Sequence, residues 1–222
     1  MKKGFTLSEV LLALTIIGIV ATLTVPALMN NVHNKMFAAQ VKNMTATIEQ
    51  LAQDELIAKR TRDLSDTDFG DTTKLLSDDH FSITKSCTTA SDAEANCWKT
   101  TATGKNLIVY KNLNKSNISD LRINRTIILK NGVMITCNKV TITDSIVEDT
   151  LLGCTMDVNG NDKPNIGGRD LFRFFITRKG HIVDYYYIYG QNKTLEQKQN
   201  SCKSNYNTCY GALADNGWKM DY

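Results

Sequence analysis

Oxygen-bearing side chains cluster in the C-terminal half of the sequence, between residues 157 and 170. The run DVNGNDKPN, from Asp157 to Asn165, is followed by IGGRD, which ends at Asp170. Alternating carboxylate and amide oxygens around a glycine turn can wrap Ca²⁺, which takes about six to eight oxygen ligands. Asp157, Asn159, Asp162 and Asp170 are therefore candidate calcium ligands. The spacing is not that of an EF-hand, and the same residues also form turns without a metal.

Six cysteines follow an apolar N-terminus: Cys87, Cys97, Cys137, Cys154, Cys202 and Cys209. An even number of cysteines in an exported domain is typical of disulfides. We expect nearest-neighbour pairing, which joins Cys87 to Cys97, Cys137 to Cys154, and Cys202 to Cys209, although the sequence leaves other pairings open. Free buried thiols in a reducing compartment are the alternative, and the CxxC spacing of a zinc site is not present.

The sequence contains no recognisable catalytic pattern. Its three histidines, His33, His80 and His181, stand far apart, and no HExxH, GxSxG or phosphate-binding glycine motif occurs. The formal net charge of +3 is too small to indicate binding to nucleic acid. We therefore expect a protein that is not an enzyme, has no catalytic residues and does not bind nucleic acid.

One charged residue, Glu9, lies in an apolar run from Phe5 to Met29. About 20 helical residues cross a bilayer, so this run is long enough to span one, and Lys2 and Lys3 would stay on the cytoplasmic side. A secretory signal peptide has a shorter apolar core, and neither it nor a plain anchor accounts for Glu9. Ionisable residues inside membrane segments are usually functional, so Glu9 is a candidate site residue.

The run GFTLSE, from Gly4 to Glu9, resembles the leader of type IV prepilins and type II secretion pseudopilins. The resemblance covers about the first 30 residues, and Gly18 and Pro26 fall where that family has a glycine and a proline. It implies that a prepilin peptidase cleaves between Gly4 and Phe5 and then methylates the new amine of Phe5. It also implies a bacterial inner-membrane precursor that joins a periplasmic or cell-surface filament.

Physical chemistry fits that implied assembly through Phe5, Glu9, Gly18 and Pro26. The new amine of one subunit can pair with Glu9 of a neighbour, which removes the penalty of two unpaired charges and sets the register. Gly18 lets helices approach closely, and Pro26 is expected to kink or locally melt the helix. The implied partners are prepilin peptidase, other pilin or pseudopilin subunits and an inner-membrane assembly platform.

Residues 30–60 continue as an amphipathic helix, because apolar side chains recur at spacings of three and four. That stripe consists of Phe37, Val41, Met44, Ile48 and Leu51. We therefore predict four regions: a leader at 1–4, a transmembrane and polymerisation helix at 5–29, the amphipathic half of the stem helix at 30–60, and a disulfide-stapled globular head at 61–222.

Strand signals in the head predict an antiparallel sheet. Residues 125–136 form one hairpin candidate around Asn131-Gly132, with a type I′ turn. Residues 171–189 form a second around 178–180, residues 107–110 form a short strand, and residues 217–220 a last edge strand. The tail from residue 195 is expected to hold a short helix. The predicted class is α+β, with a long N-terminal stem helix packed on the sheet.

The tyrosines at 185, 186, 187 and 189 fit a half-buried strand, or a surface for adhesion or base stacking. The chain is long for an abundant filament subunit, which favours a minor one. The alternative function is a single-pass membrane protein that never polymerises and has a periplasmic binding head, with calcium as a candidate ligand. A secreted calcium-binding protein with a cleaved signal is a third interpretation.

Overall fold

The computed structural model describes residues 6–100, 107–141 and 147–222, and for Pro26 and Ala27 the backbone alone. The chain divides into two compact units, Met1–Met36 and Phe37–Tyr222. The predicted α+β class is confirmed, because a long apolar N-terminal helix is followed by an antiparallel sheet. The helices are α1 (Leu7–Lys59), α2 (Thr72–Leu75), α3 (Ala90–Asp92), α4 (Tyr185–Ile188), α5 (Leu195–Cys202) and α6 (Cys209–Asp215). Shorter 3₁₀ turns span Leu64–Asp66, Asp68–Gly70 and Tyr206–Thr208, and a π turn spans Ala93–Cys97.

The first unit is helical and exposes its apolar side chains. Its threonine hydroxyls donate to carbonyls one turn earlier: Thr15 to Leu11 at 2.8 Å, Thr22 to Gly18 at 2.7 Å, and Thr24 to Val20 at 2.9 Å. These bonds satisfy the only polar groups of the three side chains, which lowers the cost of placing them in lipid. The backbone continues as a helix through Pro26.

The second unit contains a six-stranded sheet whose strands lie in sequence order, with every neighbouring pair antiparallel. The strands are β1 (Ile83–Cys87), β2 (Thr126–Leu129), β3 (Met134–Lys139), β4 (Thr150–Asp157), β5 (Leu171–Thr177) and β6 (Ile182–Val183). Both faces of the sheet are covered. The predicted helical stripe packs in one cluster with Ile135, and Trp98, Tyr110 and Tyr206 pack with the adjacent Met134 in another. Successive strand residues point to opposite faces, so the two clusters lie on opposite sides.

The first predicted hairpin is present as β2 and β3, but its turn is not type I′. A type I′ turn needs two residues of positive φ, and here only Gly132, at 86°, has one. The amide of Gly132 donates to the carbonyl of Leu129, and the amide of Leu129 to the carbonyl of Val133. This is a three-residue loop that closes with a left-handed glycine.

The second hairpin is shorter than predicted. β5 matches residues 171–177, but β6 stops at Val183, and the tyrosines from 185 form α4 instead of a strand. The reason is Asp184, whose carboxylate caps the helix by accepting a 2.8 Å bond from the amide of Tyr187. Tyr186 is buried while Tyr187 is exposed, so the four tyrosines do not form one flat aromatic surface.

Two other predicted strands are wrong. Residues 107–110 and 217–220 are not in the sheet. Residues 107–110 leave Leu107 and Val109 half exposed, while Tyr110 turns its hydroxyl inward to Asp157. Residues 217–220 follow α6 through Gly217 and Trp218, both of which have positive φ.

Three disulfides fasten the second unit. They join Cys87 to Cys97, Cys137 to Cys154, and Cys202 to Cys209, which is the nearest-neighbour pairing. Cys137 and Cys154 are direct cross-strand partners on β3 and β4, and the third bridge ties α5 to α6. The bridges therefore cross-link elements that already pack together.

Candidate functional site

Thr6 and Glu9 form a reciprocal cap at the start of α1. The Glu9 carboxylate accepts from the amide and hydroxyl of Thr6, both at 2.8 Å, and the Glu9 amide donates to the Thr6 hydroxyl at 3.3 Å. This is the capping box of the pattern T-x-x-E, which satisfies backbone donors that a helix start leaves free. The sequence analysis missed Thr6, although TLSE carries that signal.

Glu9 is thus held in the first turn of an exposed apolar helix. The predicted cleavage and methylation residues, Gly4 and Phe5, lie outside the described residues. Gly18 is on open surface, because a Cβ added there would meet nothing within 4 Å. The first unit therefore presents one fixed carboxylate and one side-chain-free patch that a neighbouring helix can approach.

The predicted oxygen cluster forms a turn between β4 and β5 whose ends are two buried acids. Asp157 and Asp170 are both fully buried. One oxygen of Asp157 accepts from the hydroxyl of Tyr110 at 2.7 Å, and the other accepts from the amide of Asn159 at 3.2 Å. The oxygens of Asp170 accept from the amides of Asn165 and Ile166, both at 2.6 Å. The two carboxylates therefore fix the backbone of the turn.

Three amide oxygens in this turn are buried without a hydrogen-bond donor. They belong to Asn159, Asn161 and Asn165, while the amide nitrogens of Asn159 and Asn161 donate to backbone carbonyls. A buried acceptor without a donor costs about 1–3 kcal/mol. Carboxylate and amide oxygens are the ligand types that a hard cation such as Ca²⁺ prefers.

Three of the four predicted calcium ligands lie in the buried part of the turn, and the fourth does not. Asp157, Asn159 and Asp170 come together, but the side chain of Asp162 is exposed, and its carbonyl, not its carboxylate, contacts Asn159. Asn161 and Asn165 also carry buried oxygens without donors, although the sequence analysis did not select them. Both residues become candidate ligands because folding leaves their amide oxygens without a hydrogen-bond donor, which a sequence pattern does not show.

Burial changes the proton affinity of both acids. Burial raises the pKa of Asp170 to about 6, against the opposing effect of its backbone hydrogen bonds. Burial and the neighbouring charge of Asp170 raise the pKa of Asp157 well above its usual value. Two ionised carboxylates this close repel each other, so a proton or a cation stabilises the pair.

Comparison with known families gives a match at the N-terminus. Residues 1–25 match the family described as the prokaryotic N-terminal methylation motif, which is the signature of type IV pilins and pseudopilins. No curated protein and no solved structure matches the chain. Among the described residues, α1 is the one helix long and apolar enough to cross a membrane. Together these findings support a membrane-anchored, type IV pilin-like precursor that prepilin peptidase processes and that assembles with other pilin subunits.

Proposed function

We propose that this chain is a structural, non-catalytic and minor subunit of a type IV pilus-like or type II secretion pseudopilus filament. The observation that carries the proposal is Glu9, a carboxylate fixed in the first turn of an exposed apolar helix within the matched motif. Prepilin peptidase cuts between Gly4 and Phe5, and Phe5 is methylated. The subunit then passes from the inner membrane, through the assembly platform, into the filament.

The assembly step follows from the cost of unpaired charge. The amine created at Phe5 and the carboxylate of Glu9 are both expensive to bury in an apolar filament. A pair between the amine of one subunit and Glu9 of its neighbour offsets that cost and sets the axial register. Gly18 permits close helix contact there, and the proline at 26 supplies a place where the helix can unwind.

The first test is mass spectrometry of filaments sheared from the cell surface. We expect an N-terminal peptide that begins with methylated Phe5, at a few per cent of the dominant subunit. High abundance would make this a major subunit. An intact Met1 found only in membranes would contradict filament assembly and leave a membrane-anchored periplasmic head.

Variants at the cap separate the charge of Glu9 from its capping role. Glu9→Gln keeps an acceptor for the amide of Thr6 but removes the charge, whereas Thr6→Ala weakens the cap and keeps the charge. We expect Glu9→Gln to lose incorporation into filaments as fully as Glu9→Ala, while Thr6→Ala is incorporated. Normal incorporation of Glu9→Gln together with failure of Thr6→Ala would reduce Glu9 to a helix cap.

A second proposal concerns the head, where the turn from Asp157 to Asp170 binds Ca²⁺. The buried amide oxygens without donors favour it. Asp157, Asn159, Asn165 and Asp170 would hold the ion, which would supply positive charge to a buried acidic pair. Thermal unfolding of the chelator-treated protein, with and without CaCl₂, tests this, and an unchanged midpoint would reject it.

A further inference from the structure

Three side chains that are far apart in sequence meet at the C-terminal end of α1. Glu55 lies on α1, Asp68 begins a 3₁₀ turn, and His80 lies shortly before β1. Their ligand atoms all lie within 4.8 Å of one another. Nε2 of His80 is 3.5 Å from a carboxylate oxygen of Asp68, and the amide of Asp68 is 3.4 Å from the carboxylate of Glu55.

Buried neighbours hold these three positions in place. In the sequence, Leu64 precedes Asp68 and Phe69 follows it, and both are fully buried. Phe81, next to His80, is also buried. The turn after Asp68 requires glycine at position 70, because any side chain there would collide with the carbonyl of Ser65. The loop from 61 to 80 is therefore a packed segment that fixes the two ligands it carries.

The second observation is the state of the His80 ring. Its side chain is only 10% exposed, yet Nε2 is buried without a hydrogen-bond partner. A buried imidazole nitrogen normally has a donor, an acceptor or a metal. This nitrogen lies 3.5 Å from a carboxylate oxygen of Asp68, whose side chain is 28% exposed, so the cluster is open enough for an ion and water to enter.

Ligand chemistry and local charge both favour a divalent transition metal. Imidazole nitrogen and carboxylate oxygen are both ligands that zinc takes, and three of them leave the fourth tetrahedral position for water. Ligand atoms around tetrahedral zinc lie about 3.3 Å apart, so small side-chain rotations would close this cluster on an ion. The segment 54–80 also contains eight acidic and four basic side chains, which makes the surroundings attractive to cations.

We propose that Glu55, Asp68 and His80 bind one Zn²⁺ ion, which joins the end of α1 to the loop that follows it. The ion takes Nε2 of neutral His80 and one oxygen from each carboxylate. This site is separate from the oxygen-only turn at Asp157 and Asp170, and it does not depend on the assembly role of Glu9. Zinc binding therefore stabilises the head whether or not the chain polymerises.

The test uses the full chain, purified in detergent without a polyhistidine tag, stripped with EDTA and titrated with ZnCl₂. Competition with a chromophoric zinc indicator gives the affinity and the number of ions bound, and thermal unfolding gives the stabilisation. We expect one strongly bound ion per chain. At free zinc a hundredfold above Kd, we expect the unfolding midpoint to rise by roughly 5–10 °C.

The variants are chosen so that one histidine controls for the other. His181 also lies 3.3 Å from a glutamate, Glu49, but is 64% exposed, and among the described residues this pair is not part of a three-ligand cluster. His80→Gln should weaken zinc affinity by at least roughly tenfold, and His181→Gln should leave it unchanged. Glu55→Gln provides a second, partly exposed position if His80→Gln does not fold, and should weaken affinity by a similar factor. Absence of zinc binding by the wild-type chain, or equal loss in His181→Gln, would overturn the proposal.

Discussion

Two buried carboxylates, Asp157 and Asp170, make the stability of the head depend on pH. Burial raises the pKa of both above the unfolded value of about 4. Folding therefore favours the protonated forms of both acids. The free energy of unfolding falls as pH rises from the unfolded pKa values through the folded pKa values. In EDTA, we expect the free energy of unfolding to fall by about 2 kcal/mol between pH 4.5 and 7.5, from the Asp170 shift alone. Denaturant titrations of wild type and Asp170→Asn check this, because the variant lacks the titrating carboxyl group and should flatten the profile, and equal slopes would contradict it.

The substitution Asp157→Asn is expected to give opposite results with and without calcium. Asparagine at 157 can keep contacts to the Tyr110 hydroxyl and the Asn159 amide, but it removes a buried charge and a carboxylate ligand. At pH 7.5, we expect Asp157→Asn to raise the unfolding midpoint in EDTA and to lower it, relative to wild type, in CaCl₂. A variant whose effect has the same sign in both conditions would contradict calcium binding at this turn.

Sequence spacing identified some of these residues and missed others for a physical reason. Glu9 stands out because charge is rare in an apolar run, and Asp157 and Asp170 because oxygen side chains flank a glycine turn. By contrast, the role proposed for Asn165 rests on an oxygen left without a donor, and that proposed for His80 rests on two carboxylates 12 and 25 residues earlier. Such partners are created by tertiary contacts, which no local pattern records.

The loop between β2 and β3 offers a test of turn chemistry at the level of an element. Gly132 has a φ of 86°, and an added Cβ would meet nothing within 4 Å, so Gly132→Ala introduces backbone strain without a steric clash. We expect it to lower the free energy of unfolding by about 1–2 kcal/mol. Lys130→Ala, at an exposed position of the same loop, is the matched control and should change stability by less than about 0.5 kcal/mol. Equal effects would mean that the turn does not require a left-handed residue.

The elements that sequence predicted best are those with a clear period. The stripe on α1 has helical spacing, and its members are buried or packed against the core. β4 was missed because all eight of its residues are buried, so it shows no alternation. Residues 185–188 have strand-forming side chains, but the cap at Asp184 and the positive φ of Gly190 favour one helical turn. A single capping carboxylate thus decides between structures that residue propensity leaves close in energy.

At the scale of the whole molecule, the exposed apolar surface is unevenly distributed. Of the large apolar side chains that are exposed within residues 6–100, 107–141 and 147–222, 15 lie between Leu7 and Met36, and Ile57, Leu107, Val109 and Tyr187 lie beyond. The second unit has its own core and all three disulfides. The large exposed apolar surface of the first unit requires lipid or neighbouring helices to cover it.

We therefore expect residues 34–222, exported to the periplasm, to give a soluble, folded monomer, whereas the full chain needs detergent. Light scattering after gel filtration measures the mass, and thiol titration under denaturing conditions should detect no free cysteine. The oxidising compartment matters because loss of the bridges would cost the head several kcal/mol. As a control, the same segment made in a reducing cytoplasm should be less stable towards heat. A periplasmic product that aggregates with its disulfides intact would show that the head also depends on the N-terminal unit for its fold.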